Sequence, residues 1–594
     1  MFATALRIGG AIVGQIDVEH ALPYPPGSFS NPWSPFPDSV RDVRMSLLPV
    51  LDSALDEVAY PYLSDDQVLD VAAFGETCSF MKGECLVQTG EQHFSCYVLL
   101  SGTASVLDDS SGERRVFTRY GTGCFTGDVY FLTDRRSIVT IEAEADIEAI
   151  RLTAQAFRKL LVRKPQLGDL FWKAFQRRRE LLQASHFRGL SIFGTSQDRS
   201  TLDVAELLTR NMVPYEWLDT GNPENNLRLA KIRPLTTSYP VVAHGNEFLF
   251  EAPTLVQLAE YLGLRRRIVR KEYDVVILGA GPSGLGAAVH ASSEGLSTLV
   301  LDAIGPGGQA GASSQIENYA GFPGGVSGSE LANLTYLQAL KFGAEFVAPG
   351  TVSEIEQLTG RLYRVRTVEG DSVIARTIIL AVGVSYRHLE IEGLKDLYGA
   401  GVYHAATIVE ALRCKGGQVH VVGGGNSAGQ AAMFLSQHVD RVCLIVRSTD
   451  LRKSMSSYLC ERLLANEKVS ILYESEVIAV EGLKCLSAIS YRSQSGEMIR
   501  ESTSALFIFV GAKPRTDALP QALGKDNSGF IITGPAASKS PEWKEARCPC
   551  SLETTLPGIF AAGDCRSGTT KRVASAIGDG ALAVSCVHEF LGMR

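Results

Sequence analysis

Two glycine loops carry the plainest chemistry in the chain, GAGPSG at residues 279–284 and GGGNSA at residues 423–428. Each follows an apolar strand-like run and opens a helix-like one, so backbone N–H groups at the helix start would face a pyrophosphate. In the first loop Gly279 permits the turn, Gly281 lets the backbone approach the phosphates, and Gly284 lets helix and strand pack closely. In the second the same places fall to Gly423, Gly425 and Ala428, with Asn426 and Ser427 between the last two. The strand after the first loop ends at Asp302, in the region that binds a ribose hydroxyl. The strand after the second ends at Arg447, which suits a 2′-phosphate and removes the repulsion an acid would cause. Arg452 and Lys453 follow; each of these three cations reads either as a phosphate ligand or as a solvated surface charge. Two loops in tandem imply two nucleotides. FAD in the first and NADPH in the second would let hydride pass from nicotinamide to flavin.

The last stretch, GIFAAGDCRSGTTKRVASAIGDGALAV, returns the chain to the first domain. Its apolar strand delivers Gly563 and Asp564 to the sheet edge, where Asp564 would accept hydrogen bonds from a ribityl chain. A helix over 574–584, starting near Lys571 and Arg572, would point its positive end at the flavin pyrimidine.

These sites need several domains to hold them. A chain of 594 residues is too long for one core, and about three or four domains are expected. A net charge of −8 gives no bulk support to nucleic-acid binding. No apolar run is long enough to span a membrane, which makes cytoplasm the default location. Twelve cysteines include no CxxC, so neither a zinc site nor a disulfide framework is expected, and no metal site is expected elsewhere. Cys443 and Cys586 read as small buried residues, and the close pair Cys548 and Cys550 as either a redox CxC or two neutral loop cysteines.

The fold expected is multidomain. Residues 1–44 form a Pro/Ser-rich irregular arm. Residues 45–185 form a jelly-roll β-barrel with a helical tail, in which Phe157, Leu160 and Leu161 make one stripe and Pro165 divides two helices. Residues 187–268 form a small α/β module, its first helix buried through Leu202, Ala205 and Leu208. Two Rossmann-like three-layer domains follow: an FAD domain over 273–384 and 509–594, with an NADPH domain over 385–508 between its parts.

The barrel resembles the cyclic nucleotide-binding domain family through Gly83-Glu84, Gly90-Glu91, the LLSGTASV turn at Gly102 and GCFTGDVYFLTDRRSIV. That resemblance implies a phosphate cassette at Gly127, with Asp128 in place of glutamate on the ribose and Arg135 or Arg136 on the cyclic phosphate. Cyclic nucleotide binding and a barrel kept for packing or partner contact both remain open. The module resembles the thioredoxin/glutaredoxin fold, with Tyr239-Pro240 where that family has a cis-proline and SIFGTSQDRS where it has its cysteine pair. Without a thiolate it performs no disulfide exchange.

Residues 270–594 resemble the low-molecular-weight thioredoxin reductases through GAGPSG, GPGGQAGASSQIENYAGFPGGVSGSEL, GGGNSAG and FAAGDCR. The resemblance implies that Gly308, Gln309 and Asn318 lie against the flavin and Asp564 on the ribityl group. It also implies an NADPH domain that rotates between two orientations, and a homodimer. The departure is GVYHAATIVEAL at 401–412: Ala405 and Ile408 stand where the family has its redox cysteines. Tyr403 and His404 are the nearest groups with chemistry, Tyr403 through stacking or a hydrogen bond and His404 as a general acid or a turn residue. Three functional readings follow. The chain is an NADPH-dependent flavoenzyme passing electrons to an unidentified acceptor, or an enzyme acting directly on a thiol, disulfide or other small substrate, or a non-enzymatic redox or nucleotide sensor.

Overall fold

The structure, a computed structural model, describes residues 56–594 apart from 109–114, 129–130, 132–134, 185–188, 196–197, 234, 237, 269, 314, 360, 388, 399, 405, 407–410, 412–413, 484 and 593–594. The arm expected over 1–44, Ala405 and Ile408 lie outside the described residues.

The front domain pairs two antiparallel sheets. One orders its strands Glu76–Phe80, Ile147–Leu152, Cys96–Ser101; the other orders Cys85–Val87, Thr140–Ala143, Ala104–Asp108, Arg115–Tyr120. The helices Ala154–Arg163 and Pro165–Ala184 close the core, and Phe157, Leu160 and Leu161 are buried as one stripe. Phe125, Phe131, Phe157, Phe171 and Phe175 interlock there, mostly edge to face.

The middle module has strands in the order Glu247–Glu251, Val241–His244, Leu190–Gly194, Tyr215–Asp219. The first two chain segments pair in parallel; the third runs antiparallel and turns into the fourth as a hairpin. The Arg199–Arg210 helix is started by Asp198, whose carboxylate accepts from the Thr201 N–H. Its buried side is Thr201, Val204, Ala205, Leu207 and Leu208; Leu202, assigned to that side from the sequence, is half-buried. Tyr239–Pro240 is cis, and so is Ala348–Pro349, which the sequence reading did not single out.

In the first rear domain the strands Glu345–Val347, Thr298–Leu301, Glu272–Leu278, Ser372–Leu380 and Ile559–Ala561 pair in parallel. The helices Pro282–Ser293, Gly328–Lys341 and Val573–Gly592 share a core through Leu285, Ala288, Leu337, Ala583 and Val587. The first and last of these helices touch at glycines: a Cβ on Gly580 would lie 2.2 Å from the Ser283 carbonyl. The second rear domain is a five-stranded parallel sheet, Val402–Tyr403, Ala505–Ile508, Gln418–Val422, Arg441–Ile445, Val469–Leu472. The helices Asn426–Leu435 and Ser457–Leu464 cover one face, and a meander of Glu476–Gly482, Leu486–Arg492 and Met498–Ser502 covers the other. A two-stranded ribbon of Val384–Tyr386 and Ala512–Pro514 joins the two rear domains.

Candidate active site

Both glycine loops open on one cavity of about 1190 Å³. At the first, Gly279 has φ +105°, and a Cβ there would sit 2.4 Å from the Ala381 carbonyl oxygen. A Cβ on Gly284 would lie 1.8 Å from the Gly279 carbonyl oxygen, so only glycine lets helix and strand approach this closely. Gly281 caps the Pro282–Ser293 helix with no side-chain hydrogen bond, which leaves first-turn N–H groups for a phosphate. The second loop repeats this design. Gly423 has φ +142° and a Cβ there would sit 2.4 Å from the Phe509 carbonyl oxygen, while Gly425 caps the Asn426–Leu435 helix without a side-chain bond. Ala428 is fully buried at the third position. Two uncapped helix starts beside glycine turns fit two dinucleotides.

Asp302 lines the cavity. Its Oδ2 accepts from the Ala280 N–H at 2.8 Å and its Oδ1 from the Ile304 and Gly305 N–H groups at 2.9 Å each. The carboxylate thus braces the glycine turn as well as facing the cavity. Gly308 sits at φ +55° with its would-be Cβ 2.8 Å from the Gly281 Cα. Gln309 Nε2 donates to the Val384 carbonyl at 2.6 Å, tying the flavin-side loop to the interdomain ribbon. Gln309, Asn318 and Asp564 line the cavity together. Burial pushes the Asp564 carboxyl above its ordinary range; Lys571 opposes that shift and Asp579 adds to it. The Val573–Gly592 helix is longer than expected from the sequence, and Lys571 and Arg572 before it do line the cavity. Asp579, which the sequence reading missed, accepts from the Gly563 N–H at 3.0 Å and pairs with Arg566 at 3.2 Å, fixing the turn that presents Asp564. A GDG at 578–580 in the helix was its sole sequence trace.

On the second half, Arg447 lines the cavity, three-quarters exposed, with Glu476 at 3.9 Å. Ser448 and Ser454 also line it and were not singled out from the sequence. Asn426 exchanges hydrogen bonds with Ser456 at 2.8 and 3.0 Å, so its side chain latches the loop in place. Arg452 is not on the cavity wall; its N–H is held by Asp450 in a short 3-10 turn.

Tyr403 and His404 do not reach the cavity either. Tyr403 stacks on Phe507 at 5.3 Å, and His404 lies beside Tyr398 at 5.0 Å with Nδ1 3.3 Å from the Ile508 carbonyl. The parallel pairing of Val402–Tyr403 with the Ala505–Ile508 strand turns both rings into that domain's packing. No cysteine lines the cavity among the described residues. Cys565, in FAAGDCR, is fully buried, and burial pushes its thiol up to about 12. The CxC reading is corrected: Cys550 is disulfide-bonded to Cys586, with Cα atoms 5.8 Å apart, and Cys548 is an exposed free thiol. Cys586, read as a small buried residue, is thus a bonded one.

In the front domain Asp128 faces Arg179 at 3.6 Å. The two arginines offered as phosphate ligands are engaged elsewhere. Arg135 Nη1 donates to the Asn211 carbonyl at 2.5 Å, and Arg136 donates to the carbonyls of Tyr261 at 2.5 Å and Gly90 at 2.8 Å. Both reach into or toward the middle module because its Asn211–Met212 turn packs against this edge of the barrel.

Residues 273–580 match the family described as pyridine nucleotide-disulphide oxidoreductase, and residues 77–164 match the cyclic nucleotide-binding domain. The thioredoxin reductase of Bacillus subtilis (strain 168) is 33% identical over 323 residues, which are 54% of this chain and 95% of that protein. The bifunctional thioredoxin reductase/thioredoxin of Mycobacterium leprae (strain TN) is 31% identical over 320 residues, 54% of this chain and 66% of that protein. Among solved structures, Lactococcus lactis thioredoxin reductase (FR conformation) shares 29% identity over 54% of this chain and 100% of its own, with a TM-score of 0.49. With two uncapped glycine loops on one cavity, the chain belongs to the pyridine nucleotide-disulphide oxidoreductase family and is an FAD-dependent NAD(P)H oxidoreductase that carries a cyclic nucleotide-binding domain in front.

Proposed function

We propose that the chain takes electrons from NADPH and delivers them to an external acceptor with no internal cysteine pair. The observation that carries this reading is the shared cavity: both glycine loops line it, and none of its described lining residues is a cysteine. Bound FAD and NADPH supply hydride exchange. The chain's own residues hold and orient. The first-turn N–H groups after Gly281 and after Gly425 hold a pyrophosphate each. Asp302 holds a ribose hydroxyl, and Asp564, steadied through Asp579, accepts from the ribityl chain. Arg447, with Ser448 beside it, holds the 2′-phosphate and selects NADPH over NADH. Tyr403 and His404 take no part, being packed away from the cavity.

The front of the chain belongs to the same reading. The strand order and the antiparallel third strand of residues 190–264 support a thioredoxin-type module, and the two facing antiparallel sheets support a jelly-roll barrel. A homodimer accompanies the family assignment and is checked by light scattering. With Arg135 and Arg136 engaged, cyclic nucleotide binding requires the barrel to release contacts to the middle module.

The test is NADPH oxidation by the FAD-loaded chain against a panel of oxygen, a quinone, an iron–sulfur protein and dithiol or disulfide substrates. Turnover with any one of them, retained in Cys548→Ser, supports the reading. Turnover confined to disulfides and lost in Cys548→Ser would move the chain to a thiol mechanism.

A further inference from the structure

The Arg199–Arg210 helix has two faces with different partners. Val204, Leu207 and Leu208 fill the middle module's own core. Arg199, Glu206 and Arg210 recur at helical spacing on another side, and all three line the large cavity beside Asp302, Ala303 and Ile304. Arg210 is paired to Glu206 at 2.6 Å, which holds its guanidinium in place.

The helix end is fixed to the same loop. Asn211, fully within the interior, donates from Nδ2 to the Leu207 carbonyl at 2.8 Å and to the Ile304 carbonyl at 2.9 Å. A Cβ on Gly305 would lie 2.6 Å from Asn211 Nδ2, so glycine at 305 is what permits this approach. Ile304 in turn packs against the module's core. The loop that follows Asp302 is therefore held on one side by its own sheet and on the other by the module.

In a dinucleotide fold the acid at the end of the second strand marks the adenosine ribose, so the segment after it flanks the adenosine half of the cofactor. We propose that the middle module, which has no cysteine pair, completes the FAD site by covering its adenosine half: Arg210 supplies a cation and planar donor face to the adenosine, and Asn211 locks the 302–305 loop beneath it. This rests on the assignment of FAD to the first glycine loop. An arginine suits this place because its planar guanidinium both stacks on an aromatic base and donates hydrogen bonds. The front domain grips the same turn, through Arg135 on the Asn211 carbonyl and Arg179 on the Met212 carbonyl.

FMN has the isoalloxazine and ribityl groups of FAD but no adenosine, and it separates this role from a general effect on the fold. The full-length apoprotein is titrated with FAD and with FMN, following flavin fluorescence, in wild type, Arg210→Met and Asn211→Asp. The second change keeps shape and removes the donors. Loss of contacts of this kind weakens FAD about tenfold, leaving FMN and NADPH affinity unchanged. Equal weakening of FAD and FMN, or FAD affinity unchanged in both variants, overturns the proposal. Wild-type protein that binds neither flavin overturns the FAD assignment itself and the proposal with it.

Discussion

The two glycine loops have the same backbone and opposite surroundings. Around the first, Asp302 is held by three backbone N–H groups and the following loop is covered by a helix from another module. Around the second, Arg447 stands three-quarters exposed with one distant carboxylate at 3.9 Å. Enclosure suits a resident cofactor that stays through many turnovers; exposure suits one that must leave after each. The difference lies in what packs outside the nucleotide fold, and it agrees with the proposed places of FAD at the first loop and NADPH at the second.

The sharpest way to break the comparison is to exchange the third loop position. Gly284→Ala places a methyl 1.8 Å from a carbonyl oxygen. It is expected to abolish flavin retention, measured as the ratio of flavin to protein absorbance after gel filtration. The reciprocal Ala428→Gly fills no forbidden space and costs only ~1 kcal/mol of helix stability, leaving NADPH affinity within about twofold. Next in size, Arg447→Ala removes a charge-assisted contact worth ~1.5–3 kcal/mol, so the kcat/KM for NADPH falls about ten- to a hundredfold while that for NADH holds.

A smaller effect distinguishes the two halves by pH. His420 is fully buried in the second half, its Nε2 3.0 Å from Glu501. Burial lowers its pKa below 6.5, against the opposing pull of Glu501. The unfolded chain then takes up a proton near 6.5 that the folded chain refuses, so stability is full above that pH and falls as pH drops toward the folded pKa. Burial raises Glu501, but hydrogen bonds from Tyr491, His420 and Gln418 outweigh it and hold the carboxyl below 4.5; its contribution is lost in the same direction, at lower pH. The melting temperature of wild type is expected to fall between pH 7.5 and 5.5, and His420→Asn to flatten that drop. The smallest effect is Cys548→Ser: an exposed thiol outside the disulfide leaves NADPH oxidation within about twofold.

The glycine loops, Asp302, Asp564 and the helical stripe of the front domain were legible in the sequence because local spacing dictates them. Tyr403 and His404 were misplaced for the opposite reason. Their neighbourhood to a missing cysteine pair is a linear fact, but the pairing of Val402–Tyr403 with a strand a hundred residues on decides which way their rings point. The Cys550–Cys586 bond and Arg135's reach to Asn211 are long-range in the same sense. Arg210 carries no motif at all; it becomes a site residue only when the module docks beside Asp302.

The central claim is that NADPH at the second loop reduces flavin at the first. Anaerobic stopped-flow absorbance of the FAD-loaded chain mixed with NADPH or NADH tests it directly. Fast loss of the oxidised-flavin band with NADPH and slow loss with NADH is the result expected from Arg447. A flavin band that neither nucleotide bleaches would contradict the account.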